Sequence, residues 1–163
     1  REKNMKSRTL LSLWNQWLQS SDKLLRCLHE QTVAVTLRDV ARVERLQPEL
    51  ELYTAEVRTI DEQALAEAKR LAEELGALMP SLRGLVSVLD KEEAASVQMT
   101  ANKVLSNSQK IQDVVNKNKR LFESEMTYIN GTLTLIAKAA VAGKGPYKTR
   151  RAVTESILLD AAA

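Results

Sequence analysis

The chain has 163 residues with only 5 Gly, 3 Pro and 4% aromatics. This composition suits one helical domain rather than a sheet, because Ala and straight-chain residues lose little freedom in a helix. The formal charge of +3 is too small to argue for a nucleic-acid partner.

Charge is unevenly spread: 1–8 and 144–151 are mostly basic, and 44–74 is acidic on balance. Oppositely charged helices facing each other account for this. The single cysteine, Cys27, leaves no internal disulfide and fits a reducing compartment. No apolar run approaches the roughly 18 residues that a bilayer span needs. No signal-peptide pattern stands at the start, which is Arg1 rather than Met. A soluble cytoplasmic protein with no membrane insertion is the expectation.

The first predicted helix covers about 10–31. Leu10, Trp14, Trp17, Ser21, Leu24 and Leu28 form its stripe, widened by Leu11, Leu18 and Leu25, so it should pack against two neighbours. Trp14 and Trp17, one turn apart, are either core or an exposed anchor for a partner. The β-branched run Thr32–Thr36 favours a break or turn, with a continuous helix as the alternative. Thr36 with Asp39 could cap the next helix.

The second helix is expected over about 37–75, along Val43, Leu46, Leu50, Tyr53, Val57, Ile60 and Ala64, resuming at Ala68, Leu71, Leu75 and Leu78. Pro48 should kink it or start a new helix, and Gly76 suits the residue after its end. Ser81 is placed to cap a short helix over 82–89.

Asp90 and Glu93 have capping-box spacing ahead of the last helix, 91–142. A four-three alternation then runs through Val97, Ala101, Val104, Ser108, Ile111, Val115, Asn118, Phe122, Glu125, Ile129, Thr132, Ile136 and Ala139. At 1.5 Å per residue this helix is on the order of 75–80 Å long and implies a coiled coil, a bundle or a partner. Asn118 on the seam would fix register or, with Asn116 nearby, mark a place where the helix pair is loosened. Residues 143–163 read as a flexible basic linker followed by an apolar tail, either disordered or a short helix needing a surface. The fold class is all-α: an elongated antiparallel bundle or coiled coil over 1–142, with one very long C-terminal helix and a flexible tail.

The residue inventory argues against an enzyme. His29 is the only histidine, and on a helix it does not face Cys27. Asp61-Glu62 and Glu73-Glu74 are adjacent and surface-like, no Glu-x-x-His occurs, and no Gly-rich loop could cradle a phosphate. No catalytic residue, metal or cofactor is expected.

The long helix changes character along its length. Lys110 to Glu125 is strongly charged, whereas Lys138 is the only charge from Met126 to Val141. There Tyr128, Ile129, Leu133, Leu135 and Ile136 make more apolar surface than a two-helix seam needs. Either other helices of the chain bury it or another chain docks on it, and the basic linker and Ile157-Leu158-Leu159 tail tilt the reading to docking. The candidate client-binding residues are those five with Ile157, Leu158 and Leu159, the tail either plugging the groove or gripping the client.

The Leu/Trp-rich first helix, Glu30-Gln31, Asp39-Val40, Arg58 and Leu71-Ala72-Glu73-Glu74-Leu75-Gly76 together resemble the FlgN-like family of flagellar export chaperones. The likeness is strongest in Asn116-Lys117-Asn118-Lys119-Arg120-Leu121-Phe122, and Gly145-Pro146-Tyr147 stands where the family tends to place a Tyr. Pro48 departs from the continuous helix of the family. The resemblance implies a cytoplasmic chaperone without ATPase activity. Such a protein binds the helical ends of hook-associated (hook-filament junction) proteins, keeps them unassembled and delivers them to the membrane export gate, with Tyr147 as a gate contact. The alternative is a structural or signalling coiled-coil protein that homo-oligomerises through its long helix.

Overall fold

The computed structural model describes residues 5–79 and 81–142. They form four helices, α1 (Arg8–Thr36), α2 (Val40–Glu74), α3 (Leu82–Val88) and α4 (Lys91–Ala142), and no strand occurs among the described residues.

Helix α1 runs on through Thr32–Thr36, where the sequence favours a break. Ala34 and Val35 are buried there. The Thr36 hydroxyl donates to the Thr32 carbonyl at 2.7 Å, and the Thr32 hydroxyl, which donates to Asn118 Oδ1 of α4, lies 3.1 Å from the Leu28 carbonyl. Burial and these bonds outweigh a β-branched propensity cost of at most ~0.7 kcal/mol per residue.

The turn then closes by a paired hydrogen-bond motif. Arg38 N donates to the Val35 carbonyl and Asp39 N to the Ala34 carbonyl, with Arg38 at φ 54°. Asp39, rather than Thr36, caps α2: its Oδ1 accepts from Arg42 N at 3.1 Å. The same motif ends α2 at Gly76, φ 70°, as the sequence suggests, with Ala77 N donating to the Ala72 carbonyl. Leu78 lies beyond that stop and is 99% exposed, so it does not continue the α2 stripe.

Pro48 sits inside α2, which is continuous for 35 residues, so it begins no separate helix. Buried Leu46 and Leu50 hold the helix on both sides of it against the missing backbone donor.

Ser81 caps α3, its Oγ accepting from Gly84 N at 3.1 Å. A Cβ on Gly84 would collide with the Met79 carbonyl, so this helix start requires glycine. Asp90 Oδ1 accepts from Glu93 N at 2.9 Å, the first half of the expected box. The second half is redirected. Glu93, buried, turns its Oε1 to Ser7, accepting from Ser7 N at 3.1 Å and Ser7 Oγ at 3.0 Å.

The chain divides into two compact units, Arg1–Cys27 with Glu49–Gln112 and Leu28–Pro48 with Asp113–Ala163. The first has a core of Leu10, Ala64, Leu71, Ala72 and Leu85, against which Leu13, Trp14 and Ala68 pack. Trp17 is also buried, which places both tryptophans in helix packing. The second unit buries Leu28, Ala34, Val35, Val43, Leu46 and Asn118. Within each unit α1 and α4 run in the same direction, because side-chain bonds join residues at a nearly constant offset. Ser7–Glu93 and Ser21–Asn107 are 86 apart in the first, and Thr32–Asn118 and Arg38–Glu125 are 86 and 87 apart in the second.

The α4 seam drifts from strict four-three alternation. Asn107 and Val114 are half-buried in place of Ser108 and Val115, and Leu133, Ala137 and Ala140 replace Thr132, Ile136 and Ala139. A helix of 3.6 residues per turn slips about 20° per heptad against a 3.5 repeat, so a strict heptad count overruns.

Truncating Leu71, 1% exposed, to Ala is expected to cost about 2–5 kcal/mol. Leu52→Ala, at a position 62% exposed, should stay within about 0.5 kcal/mol. Urea unfolding followed by circular dichroism separates the two; equal effects would contradict this core.

Candidate functional site

The second unit is organised around Asn118, 2% exposed. Its Nδ2 donates to the Leu28 carbonyl at 3.0 Å and to Gln31 Oε1 at 2.9 Å, and its Oδ1 accepts from Thr32 Oγ1 at 2.5 Å. Every polar atom of the carboxamide is thus engaged by α1, so a slip along α4 would leave buried groups unpaired. The register role expected from the sequence is realised here within one chain.

Further along, the α1–α2 turn is fastened to α4 by Arg38. Its Nε pairs with Glu125 Oε2 at 2.5 Å, and its guanidinium lies 4.1 Å from the centroid of the Tyr128 ring. The hydrogen bond to Glu125, with a smaller contribution from Tyr128, holds the Arg38 pKa above its ordinary value. A left-handed φ disfavours any residue with a Cβ, so the turn depends on what this side chain reaches.

This register decides the fate of the α4 end. Because the turn lies level with Glu125 and Tyr128, the stretch from Glu125 to Ala142 continues for on the order of 25 Å past the point where α1 ends. Tyr128 is 55%, Leu135 68% and Ile136 59% exposed, while Ile129 and Leu133 are half-buried. Tyr128 and Leu135 fall on one face by helical spacing, and Ile129, Leu133 and Ile136 on the neighbouring one. The five candidate residues of α4 therefore make one apolar projection. Tyr147, Ile157, Leu158 and Leu159 lie outside the described residues.

Sequence reasoning missed three exposed apolar residues at and just before the turn. Leu37, 68% exposed, and Val40, 49% exposed, flank Arg38 in the turn, and Val33, 45% exposed, lies one helical turn earlier. The signal was present, since three apolar residues in that stretch fit neither helical stripe, but the turn had to be located first.

In the first unit a shallow cleft of about 220 Å³ is lined by Trp14, Ala64, Leu65, Ala68, Leu82 and Leu85, with Asp61 and Lys69 at its rim. Cys27 is buried, its thiol 3.9 Å from Glu49 Oε2, and His29 is exposed. No group of three or more metal-ligating side chains occurs among the described residues. No helix of the described residues is long and apolar enough to cross a membrane.

Comparison with known families gives a match to the model described as FlgN protein over residues 5–151. No curated protein and no solved structure matches the chain.

The left-handed turn has a direct check. Arg38→Gly and Arg38→Ala lose the same ion pair and ring contact, but only Gly relieves the backbone. The Gly variant should therefore melt higher than the Ala variant, by roughly 2–4 °C. Thermal unfolding of the pair decides it, and a higher melting Ala variant would contradict the turn geometry.

Proposed function

As the chain belongs to the FlgN family, a family of flagellar export chaperones, we propose that it binds the helical ends of hook-associated proteins in the cytoplasm. It keeps them unassembled and delivers them to the membrane export gate. The observation that carries this reading is the apolar α4 projection, with Tyr128, Leu135 and Ile136 exposed beyond the α1–α2 turn.

A subunit destined for a filament carries an apolar helix that must stay covered until export. An exposed helix face offers a reversible helix-on-helix cover, with no nucleotide chemistry required. Each anchor side chain buried contributes roughly 1.5–3 kcal/mol, so a few support micromolar affinity after association costs. Ahead of Glu125, α4 is bonded to α1 through Asn107 and Asn118, which supports the apolar end as the surface for a client. This arrangement favours client binding over homo-oligomerisation along the whole of α4, because Asn118 and Glu125 already have partners in α1 and in the turn.

Tyr147 is assigned to the gate contact. Tyr147→Ala should reduce gate binding and motility while leaving client affinity intact, and unchanged motility would remove this role.

The double variant Leu133→Asp, Ile136→Asp, with its helicity retained, is expected to weaken binding of a client terminal-helix peptide at least ~tenfold by calorimetry. Unchanged affinity would move the client site elsewhere, first to the cleft beside Trp14.

A further inference from the structure

We propose that Ile157-Leu158-Leu159 folds back, in the client-free chain, onto the exposed apolar side chains of Leu37, Val40 and Tyr128 at the α1–α2 turn and on the helix that Arg38 joins to it. That the tail thereby competes with the client rests on the proposed function; the fold-back itself does not.

Reach, chemistry and exposure support this occupant. The described part of α4 ends at Ala142, on the order of 25 Å beyond Glu125 and the turn. The chain from there to Ile157 includes residues 143–156. Fully extended, these span about 46–50 Å, so the return to the turn lies within the span of this linker. Gly143, Gly145 and Pro146 at its start are residues that turn a chain away from a helix axis.

Charge also matches. The tail triplet lies between Glu155 and Asp160. Val40 lies between Arg38 and Arg42, while the Asp39 carboxylate between them is committed to the α2 cap. With Arg38 already paired to Glu125, Arg42 is the cation of this stretch offered to the tail carboxylates. Leu37, Val40 and Tyr128 are each about half exposed or more, which leaves them free to receive it. A tethered segment acts at an effective concentration in the millimolar range, so even weak intrinsic affinity keeps it seated until a client displaces it.

The test is disulfide trapping in the full chain, in a Cys27→Ala background, with dilute protein and no client. Leu37→Cys with Leu158→Cys is compared with Glu123→Cys with Leu158→Cys. Glu123 is exposed and, two residues from Glu125, lies on the opposite face of α4. The Leu37 pair is expected to close within one chain at least ~tenfold faster than the Glu123 pair. Adding Ile157→Asp and Leu159→Asp should bring its rate down to that of the control. Equal rates, or cross-links only between chains, would overturn the fold-back. A client terminal-helix peptide, added in excess, is expected to slow closure of the Leu37 pair. If the peptide binds by calorimetry without changing that rate, the fold-back stands and its competition with the client is overturned. If the peptide does not bind at all, the proposed function fails separately.

Discussion

A carboxamide buried between two helices constrains them far more than a leucine would. Leucine side chains tolerate a slide by one heptad, because another apolar side chain meets them. Asn118 does not, since its two donors and its acceptor are matched to Leu28, Gln31 and Thr32. Moving α4 by seven residues, about 10 Å, would bury those groups unpaired, at ~1–3 kcal/mol each. The consequence lies at the other end of the unit. With the register held, the α1–α2 turn meets Glu125 and Tyr128, and the apolar turns of α4 after them must project. A polar residue in the seam thereby determines how much apolar helix is offered outside it.

The polar contacts between α1 and α4 are of different kinds along the chain. Glu93 completes the start of α1, Asn107 reaches Ser21 and Asp22, Asn118 fixes register, and Glu125 ties down the turn. Net strength also differs. The Arg38–Glu125 pair is largely solvent-exposed on the arginine side, where ion pairs contribute little, so its value is geometric. In the proposed function this geometry has a purpose, since it leaves an apolar helix face for a client to cover.

Much of this was legible in the sequence, for local reasons. Ser81, Asp90 and Gly76 announce helix boundaries through bonds to residues three or four away, and all three act as their chemistry requires. The buried stripes of α1 and α2 follow from helical spacing. The failures share the opposite cause. Thr32–Thr36 stays helical because Ala34 and Val35 are buried, and Pro48 starts no new helix because Leu46 and Leu50 are buried on both sides of it. Arg38 adopts a conformation that glycine or asparagine would have advertised. Glu93 leaves its own helix for Ser7, 86 residues away. Of the candidate site, the α4 half was readable from the loss of charge after Glu125. The turn half was not, because the turn is joined to Tyr128 only through Arg38, whose guanidinium lies over the ring.

Pro48 has a kinetic consequence. It is the residue at which the division between the two compact units cuts α2, and it brings no amide hydrogen to the helix ladder there. Cooperative opening propagates along a helix by breaking successive backbone bonds, and a missing rung is a natural place for it to halt. The amides before and after residue 48 then belong to different opening reactions, although α2 is one helix. The turn-bearing unit can exchange its protons with solvent while the Leu71 core stays closed, so a client could remodel its docking end without unfolding the core of the other unit.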